Sequence, residues 1–83
     1  MQVTEGEKTV MVFKDQLLLA ETGRPLFVEE DGQPTRLWVP EDDLTADASA
    51  HEGEAWFRPA TDIEQLAGHI AFNGDAVEIW EKV

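Results

Sequence analysis

Leu26-Phe27-Val28-Glu29-Glu30-Asp31-Gly32-Gln33-Pro34-Thr35-Arg36-Leu37-Trp38-Val39-Pro40 is the stretch that decides the fold class. Two apolar runs, Leu26 to Glu29 and Thr35 to Val39, flank a polar loop. Aromatic and β-branched residues favour a pleated, half-buried surface, so both runs read as strands. Gly32 supplies the positive φ that a hairpin loop needs. Pro40 ends the second strand, because proline cannot donate to a ladder.

The same punctuation continues in both directions. Upstream, Thr9 to Phe13 and Leu17 to Glu21 read as strands joined by a turn at Lys14-Asp15, and Thr22-Gly23-Arg24-Pro25 is loop chemistry. Downstream, Glu54 to Arg58 reads as a strand stopped by Pro59. Thr61 with Glu64 predicts a capping box for a short helix carrying Ile63, Leu66 and Ala67, with Gly68 as its stop. Asn73-Gly74 is the strongest short hairpin signal in the chain, and it predicts that His69 to Phe72 pairs with Ala76 to Glu81. Glu41 to Gly53 has one Leu and many small or acidic residues, so a mobile loop is expected there. The expected fold is mainly β: one domain over residues 1–83. It is a small sandwich or barrel-like roll of about six or seven strands, with one short helix before the C-terminal hairpin.

Composition bounds what such a domain does. The chain has 83 residues, 18 Asp and Glu against 6 Lys and Arg, a net charge of -12 and no Cys. That length fits one domain and excludes a multi-domain enzyme. Area scaling gives about 5,000 Å² of folded surface and burial of roughly 63% of the unfolded surface, enough for one small core. The charge excludes nucleic-acid backbone binding as the main activity, because that needs clustered cations. Without Cys there are no disulfides, thiolate zinc sites or thiol nucleophiles. The N-terminal stretch lacks a basic region followed by an apolar one, and the longest apolar run, Leu17 to Ala20, is too short to span a bilayer. A cytoplasmic protein without a membrane partner is therefore the expectation. Salt should stabilise the fold by screening self-repulsion, and a high-salt host would account for the acidity without any partner.

The C-terminal third carries a recognisable order of motifs: Ala55-Trp56-Phe57-Arg58-Pro59, a short helix, Ala67-Gly68-His69-Ile70-Ala71-Phe72, then Val77-Glu78-Ile79-Trp80. Upstream, Leu17-Leu18-Leu19-Ala20-Glu21 precedes Gly23 and Pro25, and Leu37-Trp38-Val39-Pro40 runs into Glu41-Asp42-Asp43-Leu44. This pattern resembles the DUF427 family, a group of small domains of unknown function. The resemblance implies a shortened variant, since the family's Cys-containing segment shrinks here to Thr45 to Glu54. The family has also carried a nucleotidyltransferase label, but this chain has no Gly-rich phosphate loop.

Four groups of residues could carry chemistry. Asp42, Asp43, Asp47, His51, Glu52 and Glu54 combine carboxylates with an imidazole, suitable donors for a divalent ion. Were that segment helical, Asp43, Asp47 and His51 would share one face; the alternative is a solvated acidic loop. His69 is a candidate general base or simply a surface histidine, and Ser49 is the sole Ser available to a triad. Trp38, Trp56 and Trp80 form either core or an aromatic contact surface. Trp56 and Trp80 each oppose their apolar neighbours, which predicts a covered second sheet face, by the helix, by barrel closure or by another chain such as a homodimer partner. Arg24 and Arg58 pair with local carboxylates or, converging with Arg36, bind an anion.

No activated nucleophile, cofactor motif or metal signature of normal spacing is present. The leading expectation is a non-catalytic ligand- or protein-binding accessory module that needs no cofactor. Its partner would be a small anion or a protein, with Arg24, Trp38, Trp56, Arg58 and His69 as candidate contacts. The alternatives are a small-substrate enzyme acting on a nucleotide-like anion, favoured if Glu21, Arg24, Glu41, Asp42 and His69 converge, and an acidic nucleic-acid mimic that occupies a basic partner.

Overall fold

The structure is a computed structural model and describes residues 1–82 of the chain. It is mainly β, with eight strands. They are β1 (Gln2–Glu5), β2 (Val10–Lys14), β3 (Leu17–Thr22), β4 (Leu26–Glu29), β5 (Arg36–Pro40), β6 (Trp56–Phe57), β7 (His69–Phe72) and β8 (Glu78–Glu81). They form a five-stranded sheet in the order β1-β4-β5-β7-β6 and a three-stranded sheet in the order β3-β2-β8. Every pairing between these strands is antiparallel. Three short 3-10 helices lie at Glu41–Asp43, Ala46–His51 and Glu64–Leu66. None of the helices is long and apolar enough to cross a membrane.

The opening stretch folds as its residues dictate. β4 pairs β5 with Val28 opposite Arg36, and Gly32 takes a φ of +74° in the connecting loop. Strand alternation then sends Leu37 and Val39 to one face and Trp38 to the other. Leu37, Val39, Ile70, Phe72 and Trp56 face the smaller sheet and meet its Val10, Val12, Leu19 and Ala20. This is the main core. Trp38, Ala71 and Phe57 form one cross-strand row on the opposite face. That face is closed by Leu66, which is fully buried, together with Ile63. Full burial of one such leucine contributes about 1.5–3 kcal/mol.

Trp38 and Trp56 are thus both core, on opposite faces of one sheet, and the helix-bearing segment covers the second face. Trp80 is 57% exposed and belongs to neither cluster. The helix itself is a single 3-10 turn capped at Ile63. Instead of a capping box, the Thr61 hydroxyl accepts the Ile63 N–H at 3.1 Å. Gly68 follows with a φ of +75°, the expected stop.

The expected β7–β8 hairpin does not form. Both edges of β7 are taken, by β5 and β6, so β8 finds no free ladder there. Asn73 extends the β6 pairing, donating its backbone N–H to Ala55 O at 2.8 Å and its side-chain amide to Glu54 O at 2.9 Å. The Asn73-Gly74 turn therefore carries the chain from one sheet to the other, where β8 pairs β2. The two-residue hairpin lies at Asp15-Gln16 instead, where both residues have positive φ.

Glu41 to Gly53 is not a free loop. Ala48 is fully buried, and its carbonyl accepts the Trp56 indole N–H at 2.7 Å. Thr45 donates its hydroxyl to Leu18 O and its N–H to Leu19 O. Small residues that looked unable to anchor the segment are what let it lie close against β3.

Candidate functional site

The β3–β4 connection brings Arg24 to one end of the five-stranded sheet. Its backbone N–H donates to the Thr22 hydroxyl at 3.0 Å, and that hydroxyl donates to Asp43 Oδ2 at 2.6 Å. Thr22 is buried, so the pair fixes the base of the loop while the Arg24 side chain stays 75% exposed. Its nearest acid is Asp43, with 4.0 Å between Nη2 and Oδ2. This guanidinium retains most of its donors.

His69 opens β7 at the same end, opposite Pro40 of β5. Pro40 occupies a non-bonded position of that pairing, so its missing N–H costs no bond to β7, and the Glu41 N–H continues the register by donating to Gly68 O at 3.0 Å. His69 Nδ1 donates to Ala67 O at 3.0 Å. The neutral ring then keeps Nε2 as its acceptor.

Arg24 and His69 line one open cleft of about 460 Å³ with Pro25, Pro40, Asp42 and Gln65. That volume is within the range of small-molecule sites, roughly 300–1,000 Å³. The remaining wall comes from Glu5, Gly6, Gly23, Leu26, Ala67 and Gly68. The cleft carries cationic, anionic and amide groups, which suits a ligand presenting an acidic group together with hydrogen-bonding groups of its own.

The other expected contacts lie elsewhere. Arg58 is committed. Its fork donates to Glu41 Oε2 at 2.8 Å on one side and to Glu52 on the other, while its Cζ stands 5.1 Å from the Trp56 ring centre. These hydrogen bonds, first that to Glu41, raise the Arg58 pKa above its ordinary value, and the same bond holds the Glu41 carboxyl below the usual carboxylate range. Arg36 Cζ sits 5.1 Å from the Phe57 ring centre beside Trp38, at a separate recess. The three arginines do not converge, and Trp38, Trp56 and Arg58 do not share a pocket.

Of the five side chains that would favour an enzyme, Arg24, Asp42 and His69 line the cleft. Glu21 pairs with Lys82 and Glu41 with Arg58. Ser49 Oγ donates to Ala46 O and is not among the cleft's lining residues.

Asp43, Asp47 and His51 do not assemble a metal centre. Among the described residues no group of three or more His, Asp and Glu side chains could hold an ion. The helical spacing behind that idea is broken at Leu44 and Thr45, which are extended between two 3-10 turns. Asp43 instead serves Thr22, and Asp47 is exposed. His51 Nδ1 is buried without a hydrogen-bond partner among the described residues. Nearby, Lys14 donates to Glu54 at 2.8 Å, which lowers the Glu54 pKa and raises that of Lys14.

Gln65 and Gly6 carried no signal in the sequence as cleft residues. Their place depends on β1 pairing with β4 and on the 3-10 turn docking beneath Trp38. A scan against protein-family models finds no match for this chain, and a search of curated proteins finds none similar to it.

Proposed function

We propose that this chain is a non-catalytic binding domain whose ligand is a small anion seated in the Arg24–His69 cleft. One observation carries the reading. Arg24 is an exposed guanidinium with no carboxylate closer than 4.0 Å among the described residues, and it lines a cleft of ligand size together with His69. An arginine fork left open in this way matches carboxylate or phosphate oxygens. Arg58 lacks that freedom, because an anion would have to displace two acids already bonded to it.

We further propose that the chain is a shortened relative of the DUF427 family. Support comes from where the resembling residues lie. Gly23 and Pro25, Pro40 and Asp42, and Ala67 to His69 belong to three separate motif stretches, and all line this cleft.

The test is chemical-shift mapping with inorganic phosphate, a nucleoside monophosphate and a dicarboxylate. Saturable shifts at residues 23–26 and 67–69 are expected with at least one, and Arg24→Ala should abolish them without changing the melting temperature. Shifts confined to Arg36 or Arg58, or persistence in Arg24→Ala, would remove the proposal.

A further inference from the structure

β8 is an edge strand of the three-stranded sheet, and all four of its residues are exposed. The Lys82 N–H donates to Thr9 O at 2.8 Å, just beyond the strand. Antiparallel ladders alternate bonded and non-bonded pairs. With Met11 opposite Trp80 and Phe13 opposite Glu78, these pairs face β2, so the backbone groups of Ile79 and Glu81 face outward with no strand beside them. Such a row is a template for another chain.

The side chains point the same way. Among the described residues, the exposed large hydrophobic ones apart from Met1 are Ile79, at 42%, and Trp80, at 57%. They are adjacent in one strand, so they lie on opposite sides of the sheet. Ile79 borders a recess with Leu37 and Phe72, between the two sheets. Trp80 stands with Met11 on the outer face. A flat partner on either face would cover one and leave the other wet. A strand lying along the edge covers both.

Charge selects the occupant. Glu78 and Glu81 flank the apolar pair, and neither makes an ion pair among the described residues. The adjacent Lys82 is bonded to Glu21, and Lys14, next to the residue opposite Glu78, is bonded to Glu54. A second copy would bring the same acids and another net charge of -12 to this edge. We propose that β8 receives an extended cationic segment of a partner protein as a fourth strand, with apolar side chains on Ile79 and Trp80 and Lys or Arg beside Glu78 and Glu81. Main-chain bonds along the edge supply affinity and the alternating side chains supply selectivity.

The probe is a blocked peptide of alternating Lys and Val, titrated into the intact chain. Expected are shifts confined to β8 and the adjoining β2 residues, slowed exchange of the Ile79 and Glu81 amides, and weakening as salt rises. Glu78→Gln with Glu81→Gln, changes at exposed positions that keep the fold, should weaken binding by about five- to tenfold, the loss expected for two exposed charge pairs. Trp80→Ala should also weaken it. A peptide with Glu in place of Lys, or with a central Pro, should not bind. Equal binding of the Pro peptide, shifts elsewhere or no binding overturns the proposal. So does sedimentation showing that the free chain dimerises through β8, since the occupant would then be a second copy.

Discussion

The two sheets are built from similar residues but are finished differently. The five-stranded sheet is covered on both sides, by the smaller sheet and by the segment around Ile63 and Leu66. The three-stranded sheet is covered on one side only. Val10, Val12 and Ala20 face the core, while Met11, Glu21 and Trp80 form an outer row. Trp56 and Trp80 make the contrast concrete. Trp56 is 2% exposed with its indole N–H bonded to a backbone carbonyl; Trp80 is 57% exposed, and its N–H lies 3.4 Å from Glu78. The first tryptophan contributes to stability, and the second is available for recognition.

Truncating both tests that division most strongly. Trp56→Ala should cost about 3–5 kcal/mol, the usual loss for a buried aromatic, and leaves the Ala48 carbonyl without its donor. Trp80→Ala should stay within about 0.5 kcal/mol, as exposed substitutions do. Urea unfolding of the two variants gives the comparison directly. Similar costs would mean that the outer face is covered after all.

Leu66→Ala comes next. Residues 57–66 hold little regular structure, yet they close the second face of the larger sheet. A loss of about 2–5 kcal/mol is expected for a leucine buried this completely. A cost below about 1 kcal/mol would show that the segment only rests on the sheet, and both sheets would then be one-sided.

How much of this was legible from the residues follows from the range of the interactions. The pattern around Leu26 to Pro40 was readable because its turn, its alternation and its proline stop are all local. The strand at Gln2–Glu5 was not, because its polar residues become a strand only by pairing with β4. Asn73-Gly74 was misleading for the opposite reason. Its local turn preference is real, but β7 had no edge left to offer. Segment 41–53 looked empty because it has few large apolar groups, and close approach to β3 depends on small ones. At the cleft, Arg24 and His69 were readable as residue types. That they share a site depends on β4 and β7 flanking β5, which sets the β3–β4 connection beside the start of β7 and is a matter of topology.

The turn at Asp15-Gln16 sharpens the contrast at a smaller scale. Gln16 sits at φ +71° in the hairpin of the open sheet. A left-handed conformation costs a non-glycine residue about 1–2 kcal/mol, and glycine raises the entropy cost of folding by about 0.5–1 kcal/mol. Gln16→Gly should therefore stabilise the protein by roughly 0.5 kcal/mol, seen as a higher urea midpoint. A lower midpoint would mean that the Gln16 side chain makes contacts worth more than the strain.

The smallest effect concerns the rim of the covered sheet, where Arg58 both spans Glu41 and Glu52 and stacks on Trp56. The two roles separate by pH. The Glu41 pKa is lowered in the folded protein, chiefly by its hydrogen bond from Arg58. That contribution is present above the unfolded carboxylate value of about 4.3 and is lost as pH falls through the folded value. Arg58→Ala removes the shift, so its deficit against the parent should be largest at neutral pH and shrink in acid. Stacking on Trp56 has no such dependence, because a guanidinium stays charged throughout. Urea midpoints of both proteins at neutral and acid pH decide between them. A deficit constant with pH would assign Arg58 to the covering of Trp56, extending the buried side of the larger sheet to its rim. A shrinking deficit would leave Trp56 held by its core and by Ala48, with the fork as a surface clasp.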